Sequence, residues 1–208
     1  MVDVVMGLRH GLVGALGAVL LVFVLAAPVA ADTTGGGNGT AANAVQDDGC
    51  TDNVDGTTTC SATTLDAFKG TMSGDFVCYD DFTFTFDEST GDPVSRHESS
   101  GCTENSGNVS VDKLTSVVLA STDIALTTQD CDANDCTESD GGTISIAATW
   151  TGFGKTFKSS SSFHSKDPIC VEVDKSKSTS RNATFDGPFD ASFASISVGT
   201  ESFRIRCK

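Results

Sequence analysis

Alternation of apolar and polar side chains is the feature of this chain that most restricts its fold. Across residues 143–151, one side of an extended backbone would carry Ile144, Ile146, Ala148 and Trp150, and the other mainly threonine and serine. This two-residue period is that of a half-buried β-strand. The same alternation recurs in short segments that are separated by Gly, Pro, Asp and Asn, which are typical turn residues.

The alternating segments predict an all-β fold with about eight to ten short antiparallel strands. At residues 82–86 three phenylalanines share one face before the turn at 87–93, and the thirteen phenylalanines are expected to supply much of the core. Segment 61–74 fits either a short helix or a strand, and we favour a strand. The architecture that this pattern favours is a disulfide-stabilised antiparallel β-sandwich, with a barrel as the alternative.

The N-terminal 31 residues are expected to form a secretory signal peptide. Arg9 precedes an apolar run at 12–27, and small residues follow before Asp32. Because the run is short for a hydrocarbon core about 30 Å thick, cleavage is favoured over a retained anchor, and no membrane span is expected afterwards. Residues 32–48 are rich in Gly and Thr and predict a flexible spacer, which leaves 49–208 as one domain.

Eight cysteines follow the leader, and an even number in a secreted chain indicates a framework of disulfides. Pairing neighbours along the chain predicts the bridges Cys50–Cys60, Cys78–Cys102, Cys131–Cys136 and Cys170–Cys207. The last pair conflicts with the strand pattern, because Cys170 falls on the polar face of its segment and Cys207 on the apolar face. If those two segments pair, Arg204 and Arg206 are expected opposite Glu172 and Asp174.

The charge of the chain restricts its environment and its partners. It has 28 acidic residues against 13 Lys and Arg, for a net charge of −15 at pH 7. Such a chain repels itself at low ionic strength, so a halophilic extracellular setting and an ordinary acidic secreted protein are both open. The sequence shows no basic patch that could neutralise phosphates, so nucleic acid and anionic membrane surfaces are expected to be poor partners. An extracellular protein or glycan remains the expected partner.

Calcium is the cofactor that the motifs best suggest, although no cofactor is required. Asp130, Asp132 and Asn134 place oxygen ligands at alternate positions, as at the start of a calcium loop. The sixth position is Asp135 where a sharp turn needs Gly, and Gly141 replaces the closing Glu. The residues 51–56 offer a second, weaker match. Sequons for N-glycosylation stand at Asn38, Asn108 and Asn182.

Catalytic motifs are not found in the sequence. His164 follows the serine run 159–162, but no nucleophile elbow surrounds those serines, and no zinc-protease, P-loop or dinucleotide motif occurs. The expected function is therefore that of a secreted, non-enzymatic, extracellular or cell-surface β-sandwich protein with a binding or structural role. A secreted antimicrobial or inhibitory effector is the alternative, and a carboxylate-dependent hydrolase is a third. Any activity is expected near the acidic loop at 130–140.

Overall fold

The computed structural model describes residues 33–71, 74–104, 107–166 and 170–207, and these residues form an antiparallel all-β structure. The signal peptide expected at 1–31 lies outside the described residues. Nine strands follow one another along the chain: β1 Thr33–Asp52, β2 Thr57–Gly70, β3 Gly74–Asp87, β4 Pro93–Glu104, β5 Val109–Asp112, β6 Ser116–Asp132, β7 Cys136–Lys166, β8 Cys170–Asp186 and β9 Phe193–Cys207. In the ambiguous segment 61–74, residues 61–70 belong to strand β2, as favoured, and Gly74 begins β3.

One continuous sheet contains all nine strands, in the order β4-β3-β2-β1-β9-β8-β7-β6-β5. A further antiparallel pairing joins residues 95–100 of β4 to residues 127–132 of β6. The hydrogen bonds therefore close eight strands into a ring, and β5 lies beside β6. The all-β antiparallel prediction is confirmed, and nine strands fall within the predicted range. All of them except β5 have 12–31 residues, so the expectation of short strands is wrong. The finer arrangement as a sandwich stays a prediction.

Trp150 of β7 is fully buried in a single core cluster, as its position on the apolar face of its strand predicted. Its ring lies 5.2 Å from that of Phe185, which in turn lies 5.0 Å from Phe189. Phenylalanines supply less of the core than expected, since every residue of the buried cluster is aliphatic except Trp150, and Phe185 and Phe189 only pack against it. Six of the fifteen buried residues are alanines. Small side chains let the strands approach closely, which leaves room for one large ring in the core but not for many.

The predicted flexible spacer at 32–48 is wrong, because residues 33–52 form strand β1 between β2 and β9. Two of its glycines have close neighbours. A Cβ at Gly36 would lie 2.6 Å from the backbone oxygen of Glu201, and one at Gly39 would lie 2.5 Å from the ring of Phe68. A Gly-rich composition indicates here that backbones approach closely, which composition alone cannot distinguish from a flexible linker.

Replacing Gly101 with alanine should weaken the closure of the ring. A Cβ at Gly101 would lie 2.1 Å from the carbonyl oxygen of Ala125, so β4 would have to move away from β6. We expect Gly101→Ala to destabilise the fold by about 1–3 kcal/mol. Gly199→Ala is the control, because its nearest neighbour is 3.6 Å away, an ordinary contact. Urea denaturation measures both variants, and equal stability would contradict a tight closure.

Three of the four predicted disulfides are confirmed: Cys50–Cys60, Cys78–Cys102 and Cys131–Cys136. Each joins residues directly opposite each other in neighbouring strands, with Cα atoms 4.0–4.1 Å apart. The backbone pairing of β8 and β9 also places Cys170 opposite Cys207, although the side chains of both lie outside the described ones. The register conflict expected for this pair is therefore absent, and the fourth bridge stays a prediction.

The pairing expected for the C-terminal arginines is wrong. Arg204 lies opposite Val173 and Arg206 opposite Val171, so both arginines share a face with valines rather than with the carboxylates of β8. The backbone pairing of β8 with β9 is one residue away from the register that charge matching suggested. No helix in the described part of the chain has the length and apolar character needed to span a membrane.

Candidate functional site

The acidic loop at which activity was expected is a tight connection between β6 and β7. The Cys131–Cys136 bridge closes it, and the amide of Asp132 donates to the carbonyl of Asp135 at 2.9 Å. The Asp132 carboxylate accepts from the amides of Asn134 and Asp135 at 2.7 and 3.0 Å, and these bonds lower its pKa. This carboxylate therefore stabilises its own turn.

The three calcium candidates, Asp130, Asp132 and Asn134, do not converge on one point. Asp130 lies in β6, where its carboxylate contacts Nδ1 of His97 at 2.6 Å, and Asp132 is engaged by the turn. Within the described ranges, no group of three or more Asp, Glu, His or Cys side chains is arranged as metal ligands. The geometry gives the calcium suggestion no support, and it stays a prediction.

The possible catalytic groups are likewise spread over the surface. Glu138 and Asp140 line an open depression of about 430 Å³ beside Leu126 and Thr127, and both are exposed. A catalytic acid usually needs burial to raise its pKa, and an open depression does not bury these carboxyls. In the serine run, the hydroxyl of Ser161 contacts that of Ser176 at 2.8 Å, on the face of the sheet opposite His164.

The three sequons differ in how accessible their amides are. Asn38 and Asn182 are exposed on strands β1 and β8. The side-chain amide of Asn108 instead donates to Thr122 at 2.9 Å and to the carbonyl of Ser121 at 3.3 Å, so modification there would have to break those bonds. Glycosylation stays a prediction at all three positions.

Asp80 on β3 is a partly buried carboxyl whose Oδ1 has no hydrogen-bond partner in the described part of the chain. Burial, with a further contribution from the nearby Glu98, raises the pKa of Asp80 to about 6. Burial also raises the pKa of Asp66 on β2, against the opposing effect of a hydrogen bond from Asn43 at 2.8 Å. The outer face of β2 and β3 thus holds two carboxyls that resist ionisation.

Replacing Asp80 with asparagine should raise stability at neutral pH. Because its pKa is higher in the folded than in the unfolded state, the contribution of Asp80 is fully present below pH about 4 and is lost as the pH rises through 6. Solvent screens this half-exposed group, so we expect Asp80→Asn to stabilise the fold by about 1 kcal/mol at pH 7.5 and by much less at pH 4. Urea denaturation at both pH values measures the difference.

Asp81→Asn is the matched control, since it removes the same charge from the exposed neighbouring residue of β3. Other acids, including Asp55 and Asp132, have lowered pKa values and shift stability with pH in the opposite direction, so each variant is compared with the parent protein. An Asp80→Asn effect that is equal at the two pH values would contradict the assignment.

A cationic face is the most distinctive feature that the structure reveals. It lies on the three-strand segment formed by residues 156–166 of β7, 171–181 of β8 and 196–206 of β9, where the register runs without interruption. Residues directly opposite in antiparallel strands share a face, and alternate residues along a strand also do so. One face of the segment therefore carries seven basic residues: Lys158, Lys166, Lys175, Lys177, Arg181, Arg204 and Arg206.

No acidic residue occupies any of the eighteen positions on this face of the segment. The acids of the segment, Glu172, Asp174 and Glu201, all fall on the other face. Alternate basic residues along a strand are about 6.7 Å apart, and neighbouring strands are about 4.8 Å apart. The face therefore carries closely spaced positive charges over about 30 Å, at about 3.3 Å per residue, on a protein of net charge −15. At its Arg181 end it meets the core, where Ile196 is buried.

The basic residues of this face are accessible to a ligand. Lys158, Lys166, Lys175, Lys177 and both C-terminal arginines are exposed, and Arg181 is half-buried with its Nε donating to the carbonyl of Gly154. Among described residues the ion pairs are Lys69–Asp75, Arg96–Glu98 and His97–Asp130, and none of them involves Lys158, Lys175 or Lys177. The positive potential of these lysines is therefore directed to solvent.

The sequence expectation that the chain has no basic patch is wrong at this face. The basic residues are separated along the chain and come together only because three strands pair in one register. A signal was present in the stretch 175–181, where Lys175, Lys177 and Arg181 alternate with serines. That polar stretch lies in strand β8, between β7 and β9.

Comparison with known proteins identifies no relative of this chain. No protein-family model matches it, and no curated protein and no solved structure matches it either. The three disulfides are consistent with an extracellular protein, because such bridges persist in oxidising surroundings.

Proposed function

We propose that this protein is a secreted, non-enzymatic binding protein and that its cationic face binds an acidic polysaccharide outside the cell. The observation that carries the proposal is the face itself, with seven basic residues and no acidic one. Positive charges at spacings of about 5–7 Å suit a linear polymer with regularly repeated carboxylate or sulfate groups. Arginine adds forked donors that fit such groups in pairs.

A polysaccharide is favoured over single-stranded nucleic acid because the cationic face carries no Phe, Tyr or Trp for stacking bases, and His164 is its one ring. Phe157 and Phe163 belong to the opposite face of β7. Six of the eleven other positions on this face are serine or threonine, including Ser160, Ser162 and Thr200, and their hydroxyls can donate hydrogen bonds to sugar hydroxyls. The remaining five are Val171, Val173, Ile196, Val198 and His164. Charge and hydroxyl groups are the chemistry that recognises an acidic glycan.

The alternatives have less support from the described geometry. A hydrolase would need converging carboxylates in a shielded cleft, whereas Glu138 and Asp140 are exposed in an open depression. An inhibitory effector would need a surface matched to a protein target, and no described feature specifies one. A secreted location agrees with the disulfides and is part of the proposal.

Binding to a panel of immobilised polymers tests the proposal. We expect retention on polygalacturonate or chondroitin sulfate, and none on dextran, which has the same polymer character without charge. Single-stranded DNA of similar length serves as the second comparison and should bind more weakly. Equal retention on dextran, or no retention on either acidic polysaccharide at about 0.1 M salt, would contradict the proposal.

A further inference from the structure

Strand β7 presents a long free edge beside the cationic face. Its pairing with β6 ends at Thr151, and from Phe153 to Lys166 it is paired with β8 on one side only, among the residues described. Every residue from 153 to 164 is exposed. Such an edge leaves a row of backbone N–H and C=O groups available to another strand.

Two phenylalanines make this edge apolar as well as open. Phe157 is 59% and Phe163 is 58% exposed, and both lie on the face opposite the cations. Exposed phenylalanines on a free edge are costly unless another surface covers them. No proline interrupts residues 153–166, so every position of the edge retains its amide donor.

We propose that the edge of β7 pairs with the same edge of a second copy, antiparallel and centred on Ser160. The inference stands on the edge alone and does not need the proposed function. A two-fold axis through Ser160 places Phe157 of each copy opposite Phe163 of the other. The two resulting aromatic pairs lie on one face of the joined sheets. Aromatic pairs directly opposite each other are among the more stabilising cross-strand pairs.

The charges of the edge also fit this register. Lys158 would lie opposite Ser162 of the second copy, Lys155 opposite Ser165, and Lys166 opposite Gly154, so no two cations face each other directly. The stretch 157–163 reads Phe-Lys-Ser-Ser-Ser-Ser-Phe, which is nearly symmetric about Ser160. Shifting the register by two residues in either direction separates the phenylalanines from each other, so the sequence favours one pairing.

A two-fold pairing of this kind stops at two copies. Each copy uses its long free edge once, so the contact closes and gives a dimer rather than a fibre. It also continues the cationic face across both copies, because a two-fold axis perpendicular to the sheet keeps equivalent faces on the same side. At low salt the two faces repel each other, so we expect dimerisation to strengthen at about 0.5 M salt.

Two measurements on the full protein test the dimer. Light scattering coupled to size-exclusion chromatography should give twice the monomer mass at about 0.5 M salt, where the like charges are screened. The double variant Phe157→Ser/Phe163→Ser should weaken dimerisation at least tenfold, and Phe193→Ser, which removes an exposed phenylalanine outside this edge, should not. A monomeric parent protein at high concentration overturns the inference.

Crosslinking tests the register independently of the phenylalanines. In the proposed dimer the two copies of residue 160 lie one strand spacing apart, about 5 Å, whereas the two copies of residue 156 lie about 27 Å apart. A short bifunctional thiol reagent should therefore link Ser160→Cys and leave Thr156→Cys unlinked. Peptide mapping confirms that the native disulfides remain. Equal crosslinking of the two variants, or crosslinking of Thr156→Cys alone, overturns the register.

Discussion

Replacing both Lys175 and Lys177 with glutamine should lower the affinity for an acidic polysaccharide about 10- to 50-fold. These lysines occupy adjacent same-face positions on β8, the central strand of the three-strand segment, so a polymer lying across the face in any direction passes close to them. Each exposed cation near an anionic surface contributes about 1 kcal/mol, and two give roughly that change in affinity. Surface plasmon resonance on immobilised chondroitin sulfate measures it.

The control removes two cations from elsewhere on the protein. Arg96→Gln/Lys113→Gln changes the net charge by the same amount, but these residues lie in β4 and in the connection between β5 and β6. We expect its affinity to stay within about twofold of the parent, since neither residue belongs to the face and salt screens exposed charges that do not contact the polymer. Equal losses for the two double variants would show that net charge, rather than the cationic face, controls binding.

Removing the Cys78–Cys102 bridge should cause the largest loss of stability. Its cysteines are 24 residues apart, and releasing a loop of that size from the unfolded chain costs about 3–4 kcal/mol. We expect the Cys78→Ser/Cys102→Ser variant to melt about 7–15 °C below the parent protein. Differential scanning calorimetry gives the melting temperature.

The Cys131–Cys136 bridge provides the comparison. It closes only five residues of separation, so its removal should cost about 2 kcal/mol, less than the loss at Cys78–Cys102. Both bridges join opposite residues of a hairpin at similar Cα distances, which makes loop length the main difference between them. If removing Cys131–Cys136 costs as much stability as removing Cys78–Cys102, or more, then these bridges do not act mainly by restraining the unfolded chain.

Local patterns predicted the elements of this fold well. Alternation identified β7 around Trp150, and the spacing of neighbouring cysteines gave three bridges, because both follow from interactions within one strand or one hairpin. The same reasoning gave the wrong prediction for the Gly-rich stretch 32–48, which was expected to be a flexible spacer. Its glycines are fixed by Glu201 and Phe68, residues that are distant in the chain.

The cationic face could not be predicted from any single segment. Lys158, Lys177 and Arg204 are far apart in sequence and meet only through the pairing of β7 with β8 and of β8 with β9. Register is a long-range property, and a shift of one residue would have moved each cation to the opposite face. The site expected at 130–140 stays a prediction without support from the geometry, since Asp132 accepts from its own turn and Asp130 contacts His97.

The salt dependence of polysaccharide binding tests the central claim most directly. If the cationic face holds the polymer, the logarithm of the association constant should fall linearly with the logarithm of salt concentration as bound counterions are released. Lys175→Gln/Lys177→Gln should give a shallower slope than the parent protein, and Arg96→Gln/Lys113→Gln the parent slope. Binding that is insensitive to salt between about 0.05 and 0.5 M, or an unchanged slope for Lys175→Gln/Lys177→Gln, would contradict the assignment of the cationic face as the binding site.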